Sequence, residues 1–571
     1  MQFDIRKVPF SRFGSYLSIS PPYPDSEGVK DGLYLRTVHG KAMWKWSGIL
    51  RLDVLWEGNL VPADVVATPT VLKLNHEHGT VDFCFENDRV LRVRGKGLGL
   101  RLTWGQPSGL AHVLSDKRVR LQPGLGFRFM VTQLAGKMEA QVNWECHQQK
   151  HLVRNFKIDC GLEGKAWEIA IEEFTGEWAE QDDTKTFSAC VKEVVSEVAT
   201  WNDETLDLPK AYSKAGELAS YINWSSVVRP DGYLKRRGML MSKNWMHAVW
   251  SWDNCFNTLA VAEQDPRLSW EQLMLLVDQQ DEQGAFPDYV TNDHLERGFV
   301  KPPIHGWTLR KLMRCSWLGK KQLQEIYKPL CKATEWWFRW RDVDGDGIPE
   351  YFHGNDSGWD NCTLFDVGYP VKGPDLMAFL AVQMEVLGKV ASRLGKHKEA
   401  AQWRKKSEQA ISLLIHEFWD GKRFVAKSIH SLETITSPAS LLSYLPMILG
   451  KRLPAEILRK MADDLKIEGY LLTKFGLASE SPQSSRFIAD GYWRGAIWAP
   501  PIAIIADGLH ASGETQLAKE ISRRFCDLCV RSGFAENYDA LTGKSLRDPA
   551  YTWTSSIFLL LASGWLLEES L

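Results

Sequence analysis

The sequence has few cysteines, no excess of either charge and no long apolar run. Ten Cys are scattered through 571 residues without the spacing of a disulfide framework, which favours reduced thiols. The formal net charge is −2 and there is no long Lys/Arg run, which argues against nucleic acid or an anionic membrane as the main partner. Neither an export signal nor a run of about 18 apolar residues is present, so we expect a cytoplasmic protein.

Tryptophan is the residue that is unusually frequent. The chain has 25 Trp, and the flat apolar face of an indole ring suits the apolar face of a pyranose sugar, although large helical domains also use Trp in their cores. One Cys-x-x-Cys pair, Cys526 and Cys529, lies inside a helical pattern without a second pair, which favours core packing over zinc or redox chemistry. The length predicts two domains, or one large barrel with an appendage.

The first part of the chain has the pattern of β-strands. Leu98, Leu100, Leu102 and Trp104 alternate with polar residues, and the same period of two recurs in 138–144 and 167–171. Half-buried strands of this kind are typical of an antiparallel β-sandwich. We therefore predict an N-terminal β-sandwich domain over residues 1–205, with structural support as its main role.

The period changes near residue 206, where Pro209 precedes an amphipathic helix. Helical segments then dominate to residue 571, separated by loops that contain Gly, Trp and Asp. Periodicity alone predicts a large all-α domain, and the loops suggest an α-toroid in which helix pairs stack around an axis. The predicted helices cover 269–283, 321–340, 374–394, 398–419, 454–465, 498–511, 514–531 and 552–568.

The nine residues 353–361 combine two carboxylates, a Trp and two glycines between helices, so they are predicted to form a loop that carries a site. Asp356 and Asp360 lie four residues apart with Trp359 beside them. A second carboxylate loop holds Glu536 between Phe534 and Tyr538. Two carboxylates on either side of a glycosidic bond are the minimum for its hydrolysis, and a Trp beside the acid would help it to hold its proton. Loops rich in Asp and Gly are also often simple turns.

Two earlier segments supply further candidates. Trp252 and Asp253 offer a stacking face and a hydroxyl acceptor side by side; the alternative is a buried Trp next to an N-cap Asp. His305 and Trp307 flank a glycine on a predicted loop and could line the pocket, although a lone His is more often structural.

Later in the chain, Trp493 and Arg494 stand in a Gly-Tyr-Trp-Arg-Gly segment. Arg494 would orient the substrate or keep a carboxylate ionised, or else form a structural salt bridge. Trp553 would cap the pocket or pack in the core.

The segment 341–350 resembles the start of a calcium loop. Asp342, Asp344 and Asp346 occupy the first, third and fifth positions and a glycine the sixth, but the twelfth is His353 in place of Glu. Two interpretations stay open: a structural calcium site and a hydrogen-bonded acidic turn.

Five motifs in this order resemble glycoside hydrolase family 63, which includes bacterial α-glucosidases, mannosylglycerate and glucosylglycerate hydrolases and, more distantly, trehalases. Members have an (α/α)6 barrel, often after a β-sandwich, so the resemblance implies an (α/α)6-barrel glycosidase domain over residues 206–571. The motifs are Trp250-Ser251-Trp252-Asp253, Asp344-Gly345-Asp346-Gly347-Ile348-Pro349-Glu350-Tyr351, Ser357-Gly358-Trp359-Asp360-Asn361, Tyr492-Trp493-Arg494-Gly495 and Glu536-Asn537-Tyr538-Asp539.

The resemblance implies Asp360 as general acid and Glu536 as general base, with inversion at the anomeric carbon and carboxyl groups about 6.5–9.5 Å apart. Many relatives have Glu at the position of Asp356, which points to an altered contact with a sugar hydroxyl. We predict an exo-acting α-glycosidase that needs no metal for its chemistry, most consistent with an α-glucosidase acting on a small oligosaccharide or glucoside. The alternatives are a mannosylglycerate- or glucosylglycerate-type hydrolase and a catalytically silent sugar-binding protein.

Overall fold

The computed structural model describes residues 1–568 apart from 23–28, 41–42, 44–46, 106–108, 125, 148–149, 181–184, 367, 431–433 and 436–438. The chain divides into two compact units. The first comprises Met1–Glu204 with Ser220–Pro230 and Ser242–Ala248, and the second comprises Thr205–Ala219, Asp231–Met241 and Val249–Leu571. The predicted boundary at 205 coincides with the first division, but two later segments return to the first unit.

The first unit is an antiparallel β-sandwich, as predicted. One sheet has the order β1-β2-β3-β4-β10-β15-β14 with β5 paired to β4, and the other has the order β11-β12-β13-β16-β9-β8-β7-β6. The strands are β1 (Phe10–Ser11), β2 (Leu17–Ser20), β3 (Leu33–Thr37), β4 (Gly48–Trp56), β5 (Asn59–Leu60), β6 (Asp64–Ala67), β7 (Leu72–His76), β8 (Gly79–Phe85), β9 (Val90–Lys96), β10 (Gly99–Trp104), β11 (Leu110–Ser115), β12 (Arg118–Gln122), β13 (Arg128–Ala135), β14 (Met138–His147), β15 (Lys150–Cys160) and β16 (Trp167–Phe174).

The core of the sandwich contains the residues that alternate in the sequence. Leu100 and Leu102 of one sheet and Ile169 and Ile171 of the other belong to one buried cluster. Asn143 pairs with Asn155 but Trp144 pairs with Val153, so a bulge in β15 shifts the register there. Trp144 is 42% exposed, and it lies near the end of β14, which is the last strand of its sheet.

The predicted run of strands ends earlier than residue 205. Helix α1 (Phe187–Asp203) closes this part of the chain, and its N-cap Thr186 accepts a hydrogen bond from the backbone N–H of Ala189. The strand pattern of the preceding residues does not continue into this segment, because a Ser or Thr cap followed by apolar residues at helical spacing favours a helix.

The second unit is an (α/α)6 barrel. Its main helices are α2 (Ser213–Ser226, which begins in this unit), α3 (Asp253–Ala260), α4 (Pro266–Val277), α5 (His305–Leu312), α6 (Lys320–Trp340), α7 (Gly354–Ser357), α8 (Pro374–Arg393), α9 (His397–Phe418), α10 (Ala455–Leu465), α11 (Ala499–Ser512), α12 (Thr515–Ser532) and α13 (Thr552–Ala562). A 3₁₀ segment spans Leu441–Arg452. All eight predicted helices occur, with shifted ends, and Cys526 and Cys529 are buried in α12.

Burial separates an inner from an outer ring of helices. Helices α3, α8, α11 and α13 are buried along most of their length, whereas α6, α9, α10 and α12 bury one face. A helix that is apolar on every side must be surrounded by protein. Since each outer helix carries the chain back, the N-termini of the inner helices meet at one end of the barrel, and the loops before them line that end.

Candidate active site

The acidic loop between α6 and α8 is held by its first carboxylate. Asp356 is buried and accepts hydrogen bonds from the backbone N–H groups of Val300 at 3.1 Å and Phe352 at 2.9 Å. The N–H of His353 at 3.2 Å and the Arg341 guanidinium at 2.7 Å are its further donors. Because both carboxylate oxygens already have protein donors, the geometry supports a role for Asp356 in holding the loop and leaves little capacity for a sugar hydroxyl.

Two glycines allow this loop to fold tightly. Gly358 has φ 71°, and a Cβ at this position would lie 2.7 Å from the indole ring of Trp252. A Cβ on Gly354 would overlap the carbonyl oxygen of Asp360. Only glycine tolerates both the left-handed backbone and such a close approach. Gly358 therefore lets the loop pack on the ring of Trp252, and Gly354 lets it close on the backbone of Asp360, which is half-buried.

The residue after Asp360 is clamped by a second loop. The side chain of Asn361 donates to the carbonyl of Gly491 at 3.0 Å and accepts from the N–H of Trp493 at 3.0 Å, and its own carbonyl accepts from Arg494 Nε at 2.9 Å. Arg494 also forms a bidentate ion pair with Asp366. Arg494 thus makes the structural salt bridge considered as the alternative. It also contacts the backbone of the acid loop, residues 353–361, which carries Asp360.

Glu536 lies on the other side of the site, at the start of a β-hairpin. The strands Asn537–Tyr538 and Ser545–Leu546 pair, and the N–H of Glu536 donates to the carbonyl of Asp548 at 2.8 Å. The indole N–H of Trp553 donates to the carbonyl of Glu536 at 3.3 Å. The side chain of Glu536 is buried, with 4% exposure, and the hairpin sets its direction.

Electrostatic interactions show that the acids from separate loops face one another. Burial raises the pKa of Glu536 to about 8; Asp548 and Asp360 add to the increase, whereas Arg547 opposes it. Burial also raises the pKa of Asp253 to about 8, again with a contribution from Asp360. The structure therefore brings Asp253, Asp360 and Glu536 together, although they are far apart in the sequence.

A buried lysine and a fourth acid belong to the same cluster, and the sequence analysis did not single them out. Lys301 Nζ lies 3.1 Å from Asp288 Oδ1 and donates to the carbonyl of Asn355 at 2.8 Å. Burial opposes its charge, but Asp288, Asp360 and Asp253 together raise the pKa of Lys301. Burial raises the pKa of Asp288 to about 6. The nearest signal in the sequence is the position of both residues next to prolines in short loops.

Two tyrosines complete this cluster. Burial raises the pKa of Tyr492 well above its usual range, and Glu536 and Asp360 contribute. Burial likewise raises the pKa of Tyr551 well above its usual range, and Glu536 and Asp253 contribute. Both phenols therefore stay protonated and can donate hydrogen bonds next to the carboxylates.

Tryptophans form a wall beside the acids. Trp359 and Trp493 have ring centroids 4.5 Å apart, and Trp493 stacks on Trp498 at 4.0 Å with an interplanar angle of 5°. Trp553 meets Trp252 edge to face at 5.9 Å and Trp498 at 5.6 Å. All five are buried, and Trp498 was not among the predicted residues. The wall fixes the loops that carry Asp253 and Asp360.

His305 and Trp307 do not lie on a loop as predicted, because they form the first turn of helix α5. Trp307 is buried, and its indole N–H donates to Asp507 at 2.7 Å. His305 is also buried and packs on Phe286, and burial lowers its pKa to about 4. The apolar residues that follow at helical spacing explain the helix, which the flanking glycine concealed.

The acidic turn at 342–350 is paired with a lysine from a later segment of the chain. Lys372 Nζ lies 2.6 Å from Asp344 and 2.5 Å from Asp346, while Asp342 accepts backbone hydrogen bonds within the turn. Oxygens of Asp342, Asp344 and Glu350 converge closely enough to hold a metal ion. The donor set suits calcium, but the ammonium group of Lys372 already forms ion pairs with Asp344 and Asp346.

Taken with the barrel, the facing carboxylates and the tryptophan wall define a glycoside hydrolase. The chain belongs to the mannosylglycerate hydrolase MGH1-like glycoside hydrolases of family 63, because the model of that family's catalytic domain matches residues 246–554. The homology is distant.

No helix in the part of the chain that the structure describes is long and apolar enough to span a membrane.

Individual relatives are similar at low identity. The mannosylglycerate hydrolase MGH1 of Selaginella moellendorffii is 21% identical over 397 residues, which cover 56% of this chain and 80% of the relative. The mannosylglycerate hydrolase of Rubrobacter radiotolerans is 22% identical, with 54% and 89% covered.

Solved structures support the fold alone. A GH63 mannosylglycerate hydrolase from Thermus thermophilus in complex with glucose has a TM-score of 0.54 at 18% identity and covers 60% of this chain and 99% of its own. A bacterial glucoamylase complexed with acarbose has a TM-score of 0.64 at 11% identity and covers 99% and 94%. The second match extends over the β-sandwich as well as the barrel.

Proposed function

We propose that the protein is an inverting, exo-acting α-glycosidase in which Asp360 is the general acid and Glu536 the general base. The observation that carries this proposal is the convergence of these two carboxylates from separate loops at one end of the barrel. Asp360 is half-buried, so solvent and a leaving group can reach it, as a proton donor requires. Glu536 is buried at the start of the hairpin on a separate loop, and the inverting mechanism requires one water molecule between it and the sugar.

The reaction then follows from these positions. Asp360 gives its proton to the glycosidic oxygen as the bond from that oxygen to the anomeric carbon breaks. In its ionised form, which a pKa of about 8 makes predominant only at alkaline pH, Glu536 takes a proton from water, whose oxygen attacks the anomeric carbon from the opposite face. The products are the inverted sugar and the free alcohol, and the two carboxyl groups return to their starting states after proton exchange with solvent.

The remaining residues of the cluster would hold the sugar. With a pKa raised to about 8, Asp253 carries a proton at neutral pH and can donate to a hydroxyl as well as accept from one. Trp359 and Trp493 border the acid, and an indole face or edge there would contact the ring. Lys301, bonded to Asp288, offers a further donor.

For the substrate, we favour an α-mannosyl or α-glucosyl conjugate of glycerate. The support is the family itself and the relatives that are named mannosylglycerate hydrolases. This choice replaces the α-glucosidase that the sequence analysis put first, since both relatives compared by sequence above are named mannosylglycerate hydrolases.

One observation favours the α-glucosidase as a second candidate. The two cations of the cluster already have carboxylate partners: Lys301 lies 3.1 Å from Asp288, and Arg547 donates to Asp490 at 2.7 Å. An anionic aglycone would find neither of them unpaired, whereas a neutral aglycone needs no counter-charge. The two candidates therefore differ in the charge of the leaving group.

A substrate panel tests both parts of the proposal. Mannosylglycerate and glucosylglycerate are compared with the neutral mannosylglycerol, glucosylglycerol, maltose and nitrophenyl α-glycosides, and the anomer released first is read by proton NMR. We expect hydrolysis of the glycerate conjugates with initial release of the β-anomer. Turnover of the neutral glucosides alone would select the α-glucosidase.

Variants of the two carboxylates separate catalysis from binding. Asp360→Asn and Glu536→Gln should each lower kcat by about 10³-fold or more, while Asp420→Asn in an exposed turn serves as the control. Wild-type hydrolysis that persists in both variants would overturn the assignment. Sugar binding without hydrolysis in the wild type would identify a sugar-binding protein.

A further inference from the structure

Two strained residues meet beside the proposed base. Among the residues that the structure describes, the non-glycine residues with positive φ are Glu57, Tyr492 and Arg547, at 47°, 63° and 61°. The guanidinium of Arg547 lies 4.9 Å over the ring of Tyr492. A left-handed backbone is strained for residues other than glycine, and such strain tends to persist where it serves a site.

Arg547 is tied to the base hairpin at one end. It lies directly between Leu546, which pairs with Asn537, and Asp548, whose carbonyl accepts from the N–H of Glu536. Its Nη1 donates to the side-chain oxygen of Asn537 at 3.1 Å. The guanidinium is therefore fixed next to Glu536 by the same hairpin that carries it.

The same nitrogen reaches the loop that holds the acid. Arg547 Nη1 donates to Asp490 Oδ1 at 2.7 Å, and Asp490 directly precedes the turn 491–494. That turn clamps Asn361, the neighbour of Asp360, through three hydrogen bonds. A continuous chain of contacts thus runs from the base, through Arg547 and Asp490, to the acid.

We propose that Arg547 is a positioning residue that links the base hairpin to the acid loop and holds Glu536 at its distance from Asp360. This inference rests on the proposed function, in which that distance must admit one water molecule. The strained backbone of Arg547 and Tyr492 is explained if their conformations are what allow the guanidinium to stack on the ring and reach Asp490 at once.

The charge of Arg547 acts on Glu536 as well. The groups that influence or face Glu536 are Asp548 and Arg547 on the hairpin, Asp360 on the acid loop, Tyr492 on the turn and Tyr551 before α13. Burial, Asp548 and Asp360 raise the pKa of Glu536, and Arg547 lowers it. A base must be ionised to accept a proton, so Arg547 favours the reactive form.

The test measures kcat, KM and the pH dependence of kcat/KM for Arg547→Gln, Arg547→Lys and Asp490→Asn on whichever substrate the wild type hydrolyses. Arg547→Gln should lower kcat about 10- to 100-fold, change KM less than about threefold, and move the acidic limb to higher pH by about one unit. Arg547→Lys keeps the charge but loses the fork geometry, so we expect an intermediate kcat and an unmoved limb. Asp490→Asn should lower kcat without moving the limb.

The matched control is Arg523→Gln on α12, whose Nη1 also lies 2.7 Å from a carboxylate, that of Asp527. Its kinetics should equal those of the wild type. A wild-type kcat and acidic limb in Arg547→Gln would overturn the inference, and so would an equal loss at every pH. If Asp360→Asn and Glu536→Gln also retained full activity, the proposed function itself would have failed.

Discussion

Replacing Glu536 by Gln should abolish hydrolysis and, at alkaline pH, stabilise the protein. In the native structure burial raises the pKa of Glu536 to about 8, while an unfolded chain returns the group to its ordinary value near 4.3. Between these values the folded state binds the extra proton. Stability therefore falls as pH rises through this window, and the full cost of ionising the buried group is present above about pH 8.

The size of the effect follows from the two pKa values. Their difference corresponds to roughly 5 kcal/mol between the protonated and the ionised folded forms, of which about 3 kcal/mol develops between pH 5.5 and 8. Gln has the shape of the protonated acid and does not titrate. Glu536→Gln should therefore gain up to about 3 kcal/mol over the wild type when the pH is raised from 5.5 to 9.

The assay compares urea unfolding of the two proteins at pH 5.5 and pH 9. The control is Glu520→Gln. Glu520 is only partly buried on α12, and Arg523 and Arg524 hold its pKa below the usual range, so this variant should show no alkaline gain. An equal difference between Glu536→Gln and the wild type at both pH values would refute the argument. It would mean that burial does not raise the pKa of Glu536, and the argument that burial controls its protonation would fail.

Two further perturbations test the supports of the site. Gly358→Ala would place a methyl group 2.7 Å from the Trp252 ring on a backbone with φ 71°. We therefore expect a loss of about 2 kcal/mol or more in the free energy of unfolding, together with a lower kcat. A wild-type kcat in this variant would contradict the close packing of the acid loop. Lys372→Met removes the ammonium group that pairs with Asp344 and Asp346. The Tm of this variant should fall, and millimolar calcium should restore it. The Tm of the wild type should be insensitive to EDTA. An EDTA-sensitive wild type would instead favour a resident calcium.

The helices and strands were predictable because their signals are local. Alternation in 98–104 and 167–171 reflects the two faces of a strand, and one apolar face in 398–419 reflects the turn of a helix. The failures have local causes as well: Trp144 lies exposed near the end of an edge strand, and a glycine after His305 concealed helix α5. In both cases the position in the fold outweighed the pattern.

The site was predictable only in part. Motifs that combine Trp, Gly and Asp pointed to Asp360, Glu536 and Asp253, because those residue types suit the chemistry at any position in a fold. Lys301 and Arg547 carry no such signal, since a lysine or arginine in a loop is ordinary in a sequence. Their importance arises only when the fold buries Lys301 among carboxylates and places Arg547 beside Glu536.

The sequence by itself determined the two kinds of structure, the family and the residues able to do acid–base chemistry, because period and residue type are properties of short segments. Only the tertiary structure decided which acids lie close to one another. It bound Asp356 and Arg494 into hydrogen bonds and ion pairs, and it buried Glu536 beside Arg547. Burial and the distance between charges depend on residues that are hundreds of positions apart, so no local pattern records them.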